Sequence, residues 1–227
     1  MREPQRGSEH ALMEALAADP ATYAHFLRLE EVKRERILCA AYDEFLEKGY
    51  DKASTNSITQ KAGISKGLLF HYFRCKESLF AFLMKDATRR IVSETLPDLP
   101  RADTDIFALI KSIIQIKIAI CLRHPRETSF MLAAWKTSLP DSLRRELDKM
   151  VDLSGNYVDT LVCLLDERLL REGVTKSVAV DIIAWVCEKY TDKMLANGLL
   201  TPEAQSWQAI AEDLDAHLDA LRFGLYR

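Results

Sequence analysis

Residues 54–80 read STNSITQKAGISKGLLFHYFRCKESLF, and this run decides the fold because it holds two short helices and the break between them. Ser54 can cap a helix whose inward positions are Ile58 and Ala62. Gly63 then breaks the helical path, Ile64 plugs the core beneath the turn, and Ser65 caps a second helix with Leu69 and Phe73 facing inward. A scaffold helix, a turn with little side-chain bulk and a second short helix with an open N-terminal end are the parts of a helix-turn-helix.

The second helix begins with Lys66 and Gly67, so its tip is basic and sterically open, and its unpaired backbone N–H groups favour phosphate. Phe70, His71 and Tyr72 cannot all point inward with Leu69 and Phe73, because successive helical residues are about 100° apart. Outward groups at these positions suit a duplex. Tyr72 can donate to a phosphate, His71 can meet a base edge, and Phe70 or Leu68 can touch a thymine methyl. The competing reading is that Phe70, His71 and Tyr72 pack against neighbouring helices.

Charge supports the first reading. The chain has 34 Asp and Glu among 227 residues and a net charge of -3, which argues against a protein that coats nucleic acid indiscriminately, although an average can hide a local basic surface. From Lys52 to Lys76, however, there is no acid, while five basic residues occur: Lys52, Lys61, Lys66, Arg74 and Lys76. The acid-free stretch coincides with the helix-turn-helix, and a polyanionic partner gives it a physical reason.

Working outward, the eight glycines and seven prolines fall mostly where helices should stop and start, and no stretch alternates with the period of a strand. An all-α chain follows. Upstream, Ser8–Ala18 reads as a short amphipathic helix, and Asp19-Pro20 offers a cap and first position for another. A stronger helix spans about Glu30–Lys48, with Leu38, Ala41, Tyr42 and Phe45 on one face and Gly49 at its end. Downstream, a long helix from Lys76 to about Leu96 is ended by Pro97 and Pro100. Further helices are expected over Asp103–Arg123, Arg126–Ser138, Asp141–Glu172, Ser177–Asn197 and Glu203–Phe223. Three parts result: a helical extension (1–29), a helix-turn-helix domain (30–83) and a second helical domain (84–227).

Ile37–Leu83 resembles the DNA-binding domain of the tetracycline-repressor (TetR) family of bacterial regulators, carried by the run 54–80 with turn, HYF and KESLF in register. The resemblance implies an N-terminal three-helix DNA-binding domain and a C-terminal helical domain for ligand binding and dimerisation. It implies DNA contacts from Thr55 and Asn56 on the scaffold helix, from Lys66, Gly67, Leu68, Phe70, His71 and Tyr72 on the recognition helix, and from Lys76 as a phosphate clamp. Two positions depart from the family pattern. Leu68 stands where a small hydroxyl residue is common, and Cys75 stands where a Ser, Asn or Asp usually caps the next helix. A thiol between Arg74 and Lys76 at a helix start is also a candidate for oxidation.

The resemblance further implies a homodimer joined by the last two helices, a double-stranded DNA operator with half-sites about one turn apart, and a small-molecule effector that releases it. Val178, Ile182, Trp185, Val186 and Tyr190, with the seam Trp207, Ile210, Leu214, Leu218, Leu221 and Leu225, supply two apolar faces for such a dimer. Phe107, Ile114, Phe130, Met131, Trp135, Tyr157, Cys163 and Trp185 are candidate walls of an effector pocket.

Other classes find little support. There is no Gly-x-Ser-x-Gly, His-Glu-x-x-His, Walker A or dinucleotide-binding pattern, and the five histidines are scattered, so neither catalytic nor metal-ligating residues nor a cofactor are expected. Five widely spaced cysteines, without a Cys-x-x-Cys pair, fit a reducing cytoplasm rather than a disulfide framework or zinc site. No apolar run approaches membrane-spanning length, and the acidic N-terminal region does not read as a signal peptide.

Overall fold

The computed structural model describes residues 20–98, 106–150, 166–196 and 204–226, and among them there is helix but no strand. In chain order the helices are α1 (Pro20–Leu27), α2 (Glu31–Lys52), α3 (Thr55–Ala62), α4 (Lys66–Phe73), α5 (Lys76–Asp98), α6 (Ile106–Arg123) and α7 (Pro125–Lys136). They continue with α8 (141–150), a single 3-10 turn at Glu167–Leu169, α9 (Lys176–Ala196) and α10 (Ala204–Leu225). The described residues fall into two compact units, divided at Ser93/Glu94, Pro125/Arg126 and Val151/Asp152.

In the first unit α3 packs on α2, and α4 packs on both α3 and α1. The core is aromatic. Tyr42, Phe45, Phe80 and Phe130 meet edge to face or tilted at one end, and Tyr23, Phe26, Phe73 and Phe82 do so at the other. Two of the second group come from α1, whose Tyr23 hydroxyl also lies 3.3 Å from the Ser78 carbonyl. The upstream segment is therefore part of this core as far as it is described, and the helix expected at Ser8–Ala18 lies outside the described residues.

Charged groups tie α5 to its neighbours. Arg90 donates to Glu35 on α2 at 2.5 Å and to Asp86 at 2.8 Å, and Asp86 accepts from the buried Tyr42 hydroxyl at 3.3 Å. Arg126 at the start of α7 reaches Asp43 on α2 at 2.6 Å. The buried Asp86 carboxylate is tolerated here because it has both cationic and hydroxyl partners.

The second unit has its own core of Phe107, Ile110, Leu170, Ala179, Ile183, Leu214, Leu218, Leu225 and Tyr226. Leu214, Leu218 and Leu225 of the expected interface seam are thus buried within the subunit, on α10. Trp207 and Ile210 have no described side-chain placement. Arg171 pins the chain end by donating to the carbonyls of Tyr226 at 2.7 Å and Phe223 at 2.8 Å.

One helix expected from periodicity is corrected. Asp141–Glu172 is not continuous helix: residue 166 is extended, Asp166 caps the 3-10 turn by accepting from the Arg168 N–H at 3.0 Å, and Gly173 has a positive φ of 86°. An Asp followed by its own cationic partner two residues on offers the backbone a turn in competition with the helix.

Candidate nucleic-acid interface

Local chemistry sets the geometry of α3, the turn and α4. Ser54 and Ser65 are both extended residues whose hydroxyls accept from the N–H three positions on, at 3.5 and 3.2 Å. Between them Gly63 is left-handed, with φ 63° and ψ 40°, a conformation that disfavours any side chain. Ile64 packs against the core beneath the turn. Leu69 and Phe73 are buried, as the helical period requires.

A buried carboxylate fixes the scaffold helix, and nothing in the sequence motif marks it. Glu44 on α2 is 3% exposed and accepts from the Ser54 N–H at 3.1 Å, from Ser57 Oγ at 2.5 Å and from Lys61 Nζ at 3.2 Å. It thus joins both ends of α3 and places negative charge at the helix N-terminus, where the macrodipole favours it. Burial pushes this carboxyl up, but the bonds from Ser57, the Ser54 N–H and Lys61 outweigh burial and hold it below its ordinary value of 4.5. Its stabilisation is therefore complete above that ordinary value and is lost as pH falls through the depressed value of the folded chain. Glu44→Gln is expected to cost about 1–3 kcal/mol at neutral pH. In urea unfolding, the gap between variant and wild type should close as the solution is acidified.

The exposed face carries the groups expected to meet DNA. Asn56, Lys66, Gly67 and His71 are exposed, while Thr55, Leu68 and Phe70 are half-buried. Lys66 and Arg74 form no ion pair among the described residues, so both charges face solvent uncompensated. Lys61, by contrast, is engaged by Glu44 and Glu47. The Phe70 ring centroid lies 5.9 Å from Lys66 Nζ.

Two residues sit differently from the sequence reading. Tyr72 is only 6% exposed, and its ring packs on Phe26 with centroids 5.8 Å apart, so it is chiefly a core side chain rather than an outward reader. Its hydroxyl has no hydrogen-bond partner among the described residues.

Lys76 is the second. Its ammonium donates to the carbonyls of Tyr50, Asp51 and Ala53 at 2.8, 3.1 and 3.3 Å and lies 4.8 Å from the Tyr50 ring centroid. All three ammonium hydrogens have acceptors in the short turn between the non-helical Gly49 and the cap residue Ala53. In this structure the side chain therefore clamps α2 to the start of α5. Lys76→Met should lower the melting temperature, with a loss of about 1–3 kcal/mol. A variant with unchanged melting would show the three carbonyl bonds to be dispensable.

Cys75 does cap α5, weakly: the Ser78 N–H lies 3.4 Å from its sulfur. The preceding Arg74 takes a positive φ of 60°, which is costly without glycine and is held by its N–H bond to the Phe70 carbonyl at 2.8 Å.

The candidate effector residues are dispersed. Phe130 is core in the first unit, with Met131 packed against it, and Phe107 is core in the second. Trp135 and Trp185 are 45% and 65% exposed. Tyr157 and Cys163 lie outside the described residues, as does the side chain of Ile114. A hollow of about 360 Å³ in the second unit is lined by none of them, but by Glu167, Leu170, Arg171, Val174, Thr175 and Lys176. Among the described residues no cluster of three or more His, Cys, Asp or Glu could hold a metal ion, and no helix is long and apolar enough to cross a membrane.

Comparison with known proteins finds regulators similar to part of this chain. Residues 37–83 match the family of bacterial regulatory proteins called tetR. The chain is 41% identical over 61 residues to the HTH-type transcriptional repressor Rv1474c of Mycobacterium tuberculosis, covering 27% of this chain and 33% of that protein. It is 29% identical over 130 residues to the HTH-type transcriptional regulator RutR of Escherichia coli K12, covering 55% and 59%. The matches thus span about a third to three-fifths of these relatives' length. A TetR family transcriptional regulator from Chloroflexus aurantiacus superposes with a TM-score of 0.63 at 22% identity, covering 90% of this chain and 98% of that one, which shows the shared fold.

Proposed function

We propose that this chain, which belongs to the TetR family of bacterial regulatory proteins, is a sequence-specific DNA-binding regulator that acts as a repressor. The observation that carries this reading is the exposed face of the helix-turn-helix: uncompensated Lys66 with Gly67 at the N-terminal end of α4, His71 in its last turn and Asn56 on α3, in a stretch without acids. Lys66 and the first N–H groups of α4 hold phosphate. His71 and Asn56 read base edges, with Leu68 and Phe70 against thymine methyls. The Tyr72 hydroxyl tip donates to a backbone phosphate from a ring fixed in the core.

Two copies give the symmetry of a palindrome. Val178 and Trp185 lie two turns apart on α9 and are exposed at 48% and 65%, an apolar stripe suited to a second copy of the last two helices. The part from residue 84 onward serves dimerisation and takes a small-molecule effector, whose binding releases the operator. If so, the operator must weaken effector binding by the same factor. The relatives it matches are regulators rather than enzymes, and we assign no catalytic step or cofactor.

Selection of duplexes from a random pool by the full-length chain tests this reading. Enrichment of a two-fold symmetric site with half-sites about one helical turn apart is expected. A pool that stays unenriched would overturn it.

A further inference from the structure

We infer that His25 on α1 positions His71 for base reading, so that a helix outside the family-matched segment sets operator specificity. This rests on the proposed DNA-binding function. The two imidazoles lie with ring centroids 4.5 Å apart and planes inclined by 43°, and both residues are exposed. The residue placed to read a base is thus held from the side by one that precedes the matched domain, which begins at residue 37.

The support beneath this pair is rigid. Phe26 is fully buried next to His25, with its ring 5.8 Å from Tyr72 and 4.6 Å from Phe73, the residues following His71. Tyr23 lies 6.1 Å from Phe73. On α1, His25 has little freedom to move relative to α4, because its neighbours are locked into the core at both sides. His71 has the Tyr72 ring at 5.8 Å on its own helix, so the His25 ring restricts it from a second direction. Freezing one rotamer of a reading side chain before DNA arrives lowers the ordering cost of binding and sharpens discrimination between bases.

His25→Ala removes the ring without touching the aromatic core. A His71 side chain freed in this way must be ordered when DNA binds, which costs a factor of about two to ten in affinity per half-site. Operator affinity should fall by that factor while melting stays unchanged, and the base preference opposite His71 should relax. In a His71→Ala background the same substitution should have no further effect. Equal losses with and without His71 would show His25 acting on DNA independently and would overturn the inference. Imidazole resonances of the free protein separate this claim from the one beneath it. His71 should shift on His25→Ala whether or not any duplex is present, and an unmoved resonance would also overturn the inference. A shifted His71 in a protein that selects no duplex would instead contradict the DNA-binding function and retain the contact.

Discussion

Phe26→Ala is expected to destabilise the first unit by about 3–5 kcal/mol, the cost of emptying a fully buried aromatic site. Phe26 has no exposed surface and meets Tyr72, Phe73 and Phe82 with centroids at 5.8, 4.6 and 5.1 Å. Relaxation cannot fill such a hole cheaply, since the surrounding rings come from two helices, α4 and α5, with their own partners. A loss of this size is a large part of the stability of an ordinary domain, about 5–15 kcal/mol. Because Tyr72 and Phe73 belong to α4, the variant should also lose DNA affinity at temperatures where it remains folded. Urea unfolding measures the first effect, and an unchanged midpoint would mean that α1 does not seal this core.

The second large effect is electrostatic. Lys66→Glu places a carboxylate at the N-terminal end of α4, where Lys66 now stands uncompensated. Bringing like charge against the phosphate backbone costs several kcal/mol, so affinity for the selected duplex should fall by about 100-fold or more. Stability should move by no more than about 0.5 kcal/mol, because the side chain is exposed and has no ion-pair partner among the described residues. This separation of binding from stability is what distinguishes Lys66 from Phe26. Comparable losses of both would place Lys66 in the fold rather than at the duplex.

Much of the head was legible in the sequence because its determinants are local. Ser54, Gly63 and Ser65 act within three residues of their own position, and Leu69 and Phe73 follow from helical period alone. What escaped was tertiary. A helical wheel for α4 has one inward face, but α1 supplies a second surface through Phe26, and Tyr72 is buried against it. Lys76 finds its acceptors 23 to 26 residues earlier in the chain, at a distance no motif spans. Glu44 looked like one acid among many until α3 placed Ser54, Ser57 and Lys61 around it.

The second unit shows a different ambiguity. Three-four spacing in α10 reports an apolar face but not which helix covers it, and Leu214, Leu218 and Leu225 are covered from within the subunit. On α9, Val178 and Trp185 stay exposed. The continuous helix expected over Asp141–Glu172 failed for a local reason, since Asp166 is a cap as well as a tolerable helical residue.

Affinity for the selected palindrome and for a scrambled duplex of equal length, measured across a range of salt concentrations, tests DNA recognition by this head most directly. The palindrome is expected to bind at least about 10³-fold more tightly, with the logarithm of affinity falling linearly with the logarithm of salt and less steeply for Lys66→Ala. Equal affinity for the two duplexes at every salt concentration would contradict it.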